Sequence, residues 1–143
     1  MRIYTIGFTK TSAESFFTRI RVAGVTRVID VRLNNGSQLA GFSKRDDLRF
    51  FLKTICGAEY LHLPELAPPK ALLDEYRKID HDWSRYEMEF IALINSRTIE
   101  NLEQALFDGS CLLCSEAEPE HCHRRLVAEH LRDRWGAVEI VHL

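Results

Sequence analysis

Long apolar runs are missing from this 143-residue chain. Nothing in it approaches the roughly 20 consecutive apolar residues that span a bilayer. The opening Met1-Arg2-Ile3-Tyr4-Thr5-Ile6-Gly7 has no leader-like apolar core and no small-residue cleavage site. The expectation is a chain without a membrane segment, working in the cytoplasm. Glycine and proline are scarce, at seven and four residues, which excludes a collagen-like or low-complexity chain. A basic excess is also absent: 19 Lys and Arg face 21 Asp and Glu, for a net charge of -2. Dedicated nucleic-acid binders carry a clear positive surplus. A local basic pocket stays open as a reading, because Lys44-Arg45 and Arg124-Arg125 are paired. The four cysteines, Cys56, Cys111, Cys114 and Cys122, read as thiols, thiolates or ligands in a reducing compartment rather than as a disulfide framework.

What is present is ordinary globular composition, 45% hydrophobic and 28% charged, at a length that makes one domain. Short β-rich runs alternate with amphipathic stretches. Arg2 to Phe8 is a strand. Thr11 and Glu14 have capping-box spacing ahead of Phe16, Phe17 and Ile20, and Gly24 closes that helix. Val25 to Leu33 is a second strand, broken by Asn34-Asn35-Gly36. Ser43 and Asp46 offer a second cap before Leu48, Phe51, Leu52 and Ile55, and Gly57 ends the stretch. Tyr60 to Leu63 is a third strand. Three helical stretches follow: one after Pro68-Pro69, one through Trp83, Phe90 and Ile94, and one capped by Thr98. Ser110 to Cys114 is an apolar strand, Glu120 to Trp135 a helix and Ala137 to Leu143 a last strand. The order βαβαβαααβαβ implies a single α/β domain over residues 1-143. It has three layers, with a mostly parallel sheet of about five strands flanked by helices. Ligands of such sheets sit outside the carboxyl ends of the strands.

Those strand ends carry unusual polar content. They bring Thr5 and Gly7 from the first strand, Asp30 and Arg32 from the second, and Cys114 and Glu116 from the fourth, followed by Cys122-His123-Arg124. Cys122 and His123 fall at the start of a helix, where free N–H groups and a partial positive charge stabilise anions, thiolates included. Arg32 and Arg124 supply bidentate donors for a phosphate or carboxylate. Cys114 is the expected nucleophile or redox centre, and Glu116 or His123 the acid/base. Thr5, Gly7, Asp30, Arg32, Cys122 and Arg124 are the expected substrate contacts.

Other chemistries fit less well. The spacing Cys-x7-Cys-His matches no common zinc knuckle, and adjacent Cys and His seldom reach one ion, so neither a metal nor another cofactor is expected. Cys114 and Cys122 as a redox pair is permitted. Cys111 and Cys114 have Cys-x-x-Cys spacing, but on a strand they face opposite ways. A phosphatase loop would need Arg six residues after Cys114, and Glu120 stands there.

Thr5-Ile6-Gly7, Asp30-Val31-Arg32 with Ser37 and Phe42, Tyr60, and above all Cys114-Ser115-Glu116 with Cys122-His123-Arg124 resemble the family known as domain of unknown function 488. The resemblance runs from Arg2 to about Val141 and implies an α/β fold, without naming a reaction. The family often has His where Phe8 stands here, and Leu-Gly-Gly where Leu66-Ala67-Pro68 stands. The best functional reading is a thiol-dependent enzyme acting on a small anionic substrate, nucleotides among the options, at the strand rim. The alternatives are a non-catalytic module using Arg32, Lys44, Arg45 and Arg124 to hold a nucleotide or nucleic-acid end, and a ligand-free Cys/His/Arg knot bracing the loop.

Overall fold

A computed structural model describes residues 1–36 and 41–143; Ser37 lies outside the described residues. Five strands form one sheet: β1 (Arg2–Gly7), β2 (Arg27–Asp30), β3 (Glu59–His62), β4 (Ser110–Cys114) and β5 (Glu139–His142). Every pairing is parallel and the spatial order is β3-β2-β4-β1-β5. The helices are α1 (Ala13–Ala23), α2 (Arg45–Phe51), α3 (Lys70–Asp74), α4 (Trp83–Ser96) and α5 (His123–Trp135). The expected α/β architecture is therefore present, and the sheet is parallel throughout.

Strand β4 lies mid-sheet and is buried along its whole length, as a strand covered on both faces must be. Its side chains alternate. Cys111 and Leu113 pack with Tyr4, Ile6, Phe16, Phe17, Ile20 and Leu48 under α1 and α2. Leu112 and Cys114 pack with Phe90, Ile94, Leu126, Val127 and Leu131 under α4 and α5. Two apolar layers thus sandwich the sheet, and the Cys-Leu-Leu-Cys thiols do face opposite ways.

The chain leaves β1 and β2 through helices on the first face and moves towards the β3 edge. It leaves β3 and β4 through helices on the second face and moves towards the β5 edge. Neighbours β2 and β4 therefore send their outgoing loops in opposite directions. That divergence opens a crevice beyond their carboxyl ends, the place where parallel sheets bind ligands.

Several element ends differ from the expectation. The cap of α1 is Ser12, whose side chain accepts from Ser15 N at 3.1 Å, not Thr11. Gly24 closes α1 in the left-handed region, at φ 73°, as its place in the sequence suggests. Lys44, not Ser43, stands at the cap of α2 and makes no side-chain cap bond; Ser43 is buried in the short turn before it. Thr98 caps no α-helix. It is itself left-handed (φ 49°), and two short 3-10 turns, Ile99–Asn101 and Gln104–Leu106, follow it. Helix α5 begins at His123 rather than Glu120, with Cys122 extended at its cap (φ -137°, ψ 137°). Wide π turns prolong α2 over Leu52–Cys56 and α3 over Glu75–Asp80. No described helix is long and apolar enough to cross a membrane.

Candidate functional site

A crevice of about 130 Å³ opens at the divergence of β2 and β4. Arg32, Cys114, Ser115 and His123 line it, with Phe8 on one side and Leu73 and Arg77 on the other. Behind it lies a narrower slit where Cys114 and His123 meet Cys122, Glu116, Tyr76, Trp83 and Tyr86. Leu73, Arg77, Cys114 and His123 line both spaces. Arg32 and His123, 91 residues apart in the chain, face the same hollow.

The local geometry explains why two neighbouring residues converge. Cys122 is extended and His123 is already helical, so their side chains do not alternate as they would along a strand. Cys114 Sγ, Cys122 Sγ and a ring nitrogen of His123 all lie within 4.8 Å of one another, and all three residues are buried. Adjacent Cys and His, which the sequence suggested seldom reach one ion, here bring their donor atoms together. His123 Nε2 is 2.7 Å from the carbonyl oxygen of Val31. A carbonyl only accepts, so Nε2 carries a proton, and in the neutral tautomer this leaves Nδ1 as the bare nitrogen, turned towards the sulfurs. Nδ1 is 3.5 Å from Cys114 Sγ.

The two thiols are not equivalent. Burial pushes Cys114 well above the ordinary thiol range, and the neighbouring Cys122 sulfur reinforces the effect. Burial also opposes a Cys122 thiolate. There the Cys114 thiol, the adjacent His123 and the Arg124 charge outweigh it, so Cys122 falls well below the usual range. The thiolate is thus favoured at Cys122, at the α5 N-terminus, and disfavoured at Cys114.

Arginine 32 is 3% exposed and pairs fork-to-fork with Asp30, with Nε to Oδ1 at 2.9 Å and Nη2 to Oδ2 at 2.8 Å. Nη2 also donates to the Ser43 carbonyl at 2.7 Å. Tyr60 donates its hydroxyl proton to Asp30 Oδ2 at 2.6 Å, and His62 Nε2 donates to the Arg32 carbonyl at 2.8 Å. Burial, then the bond to Asp30, pushes the Tyr60 phenol far upward. One group is left over: Arg32 Nη1 is buried without a partner. The guanidinium also lies 5.1 Å from the centre of the Phe8 ring, so the position where the family often carries histidine is an apolar platform under Arg32.

Arginine 124 is placed differently from the expectation. Its guanidinium holds the loop after β4 by donating to the carbonyls of Glu116 and Ala117, and it does not line the crevice. Gly7 serves the same loop. A Cβ at Gly7 would stand 1.7 Å from the Glu116 carbonyl oxygen, so only glycine permits that approach. The Glu116 side chain is exposed and reaches the rim of the slit. Thr5 bonds His142 Nδ1 at 2.6 Å and lies outside the crevice. Asp30 stands behind Arg32 as its counter-ion. Lys44 and Arg45 do not line the crevice, and Arg45 pairs with exposed Asp46.

Arg77 was not singled out by the sequence. It is exposed, lines both the crevice and the slit, and makes no ion pair or hydrogen bond among the described residues. The wide turn over Glu75–Asp80 presents it there. Within an apolar stripe of Leu72, Leu73 and Tyr76 it reads as an ordinary solvated charge, and no sequence signal marks it.

The family described as domain of unknown function DUF488 matches residues 12–131. The chain belongs to that family. The DUF488 match covers β2 to β4 and the first two-thirds of α5, and therefore Asp30, Arg32 and the whole Cys114–Arg124 segment. Thr5-Ile6-Gly7 lies outside the matched span. No curated protein and no solved structure matches the chain.

Proposed function

We propose that this DUF488 protein is a thiol-dependent enzyme acting on a small anionic substrate in the crevice between β2 and β4. The observation that carries the reading is the meeting of Cys114, Cys122 and His123 beneath a crevice lined also by Arg32, whose Nη1 is buried without a partner, and by the exposed guanidinium of Arg77. Arg77 draws the anion in, and Arg32 Nη1 and the first N–H groups of α5 face its charge. Cys114 is the sulfur that faces the crevice. As its Sγ forms a bond to the electrophilic carbon, the thiol proton passes to His123 Nδ1. His123 then returns it to the departing group. Cys122, behind the pair, opposes a free Cys114 thiolate, so the proton leaves as the carbon–sulfur bond forms. The Val31 carbonyl keeps the imidazole in the tautomer this transfer needs.

Haloacetates test the reading with a minimal anionic electrophile. In the metal-free, reduced chain, iodoacetate should alkylate Cys114 in a saturable reaction, faster than neutral iodoacetamide. At a free thiol the neutral reagent should be the faster one. A non-saturable reaction with iodoacetamide ahead would remove the enzyme reading.

The loop-bracing alternative is favoured by one observation, the commitment of Arg124 to two loop carbonyls. It accounts for Arg124 and Gly7 but gives no role to Arg77 or to the bare Nδ1 of His123.

A further inference from the structure

We infer that Cys114, Cys122 and His123 form a three-ligand site for a soft divalent cation of the zinc type, with a fourth coordination position left on the crevice side. This inference does not depend on the enzyme reading.

Three observations carry it. The first is the donor set, two sulfurs and one imidazole nitrogen, the combination that a d10 divalent ion prefers over calcium or magnesium. Among the described residues these are the three that cluster in this way, and all are buried. The second is spacing. A tetrahedral zinc ion bound at ordinary lengths sets a sulfur and a nitrogen about 3.6 Å apart and two sulfurs about 3.8 Å apart. Cys114 Sγ and His123 Nδ1 are 3.5 Å apart, and all three donors fall within 4.8 Å. Little movement is needed to admit an ion. The third is the outer support. Metal-binding imidazoles commonly donate their other N–H to a carbonyl or carboxylate, which fixes the ring and its tautomer. His123 Nε2 does this to Val31 at 2.7 Å, leaving Nδ1 as the ligand.

Charge accounting agrees. Binding releases one proton from each thiol still protonated, and two thiolates then neutralise the divalent ion. The buried site gains no net charge, which suits an apolar surround of Phe90 and Tyr86. Both sulfurs are ligands in this state, so neither is free to attack carbon. Metal binding and thiol alkylation are mutually exclusive. A bound ion would offer its open position to the same small anions that Arg32 and Arg77 attract.

Cobalt(II) tests this in the full-length, reduced chain. One equivalent should bind with intense sulfur-to-cobalt charge-transfer absorption and the visible bands of tetrahedral coordination, and zinc should displace it. The charge-transfer intensity should correspond to two thiolates per ion, a reading on the native chain that needs no variant. Affinity should fall at least tenfold in Cys122→Ser and in His123→Asn, and stay unchanged in Cys111→Ala. Absence of sulfur-to-cobalt absorption, an intensity matching fewer than two thiolates, or undiminished affinity in Cys122→Ser would overturn the site. Saturating zinc should stop iodoacetate labelling. Cobalt binding in a chain whose metal-free form resists labelling removes the enzyme reading and keeps the metal site. Labelling in a chain that ignores cobalt does the reverse.

Discussion

The carboxyl ends of β2 and β4 lie side by side in one sheet, yet they are built on opposite principles. At β2 nearly every polar group has a partner: Asp30 accepts from Arg32 and Tyr60, Asn35 bonds the Tyr60 hydroxyl at 3.2 Å, and His62 bonds the Arg32 carbonyl. At β4 the capacity is unsatisfied. Two thiols and a bare imidazole nitrogen crowd one point, and Cys122 caps α5 without making a side-chain cap bond. A saturated network is rigid and chemically quiet, whereas buried groups with unused donors and lone pairs are poised to take a ligand or a proton. The β2 rim is thus the frame, and the β4 rim is where chemistry is expected.

The contrast is broken most forcefully at Asp30. Asp30→Ala leaves the Arg32 charge buried without a counter-ion, and removing one partner of such a pair typically costs about 3–5 kcal/mol. Urea unfolding should show the midpoint fall accordingly. Tyr60→Phe is smaller. It removes a hydrogen bond to a charged group, for a loss on the order of 1.5–3 kcal/mol near pH 7. The phenol's pKa is raised in the fold, so its contribution is complete below about pH 10, the ordinary tyrosine value. It fades as the pH climbs above that, and the stability gap between wild type and Tyr60→Phe should narrow in alkaline buffer. Arg77→Ala is the smallest in stability, within about 0.5 kcal/mol as for other exposed, unpaired side chains. It should nevertheless abolish the preference for iodoacetate over iodoacetamide. A large stability loss there, with the preference intact, would make Arg77 part of the frame rather than an anion contact.

The parallel sheet and the meeting of Cys114 with His123 were legible in the sequence because both follow from local rules. Apolar strands alternating with helices set the topology, and a strand end followed by a helix start sets the thiols and imidazole at one place. Arg124 was misread for a different reason. A guanidinium next to a candidate site looks like a ligand clamp, and nothing in the sequence says that two backbone carbonyls nearby will take its donors. Thr98 failed similarly, since a capping residue does not guarantee a helix when the next segment packs as 3-10 turns. Gly7 was singled out, but its purpose, close approach of the Glu116 carbonyl, appears only once β1 and the loop after β4 are adjacent in space. Arg77 was invisible because its importance comes from lying over a crevice formed by segments distant in sequence.

The most direct measurement is the order in which the cysteines of the metal-free, reduced chain take up iodoacetate, followed by peptide mapping. Cys56 is the most accessible of the four. Burial holds its thiol above the ordinary range, with only Arg21 opposing. The account predicts that the Cys114–Cys122 pair is carboxymethylated first despite its burial, and that added phosphate slows it by competition. Labelling that begins at Cys56, with the pair untouched until the fold is lost, would contradict it.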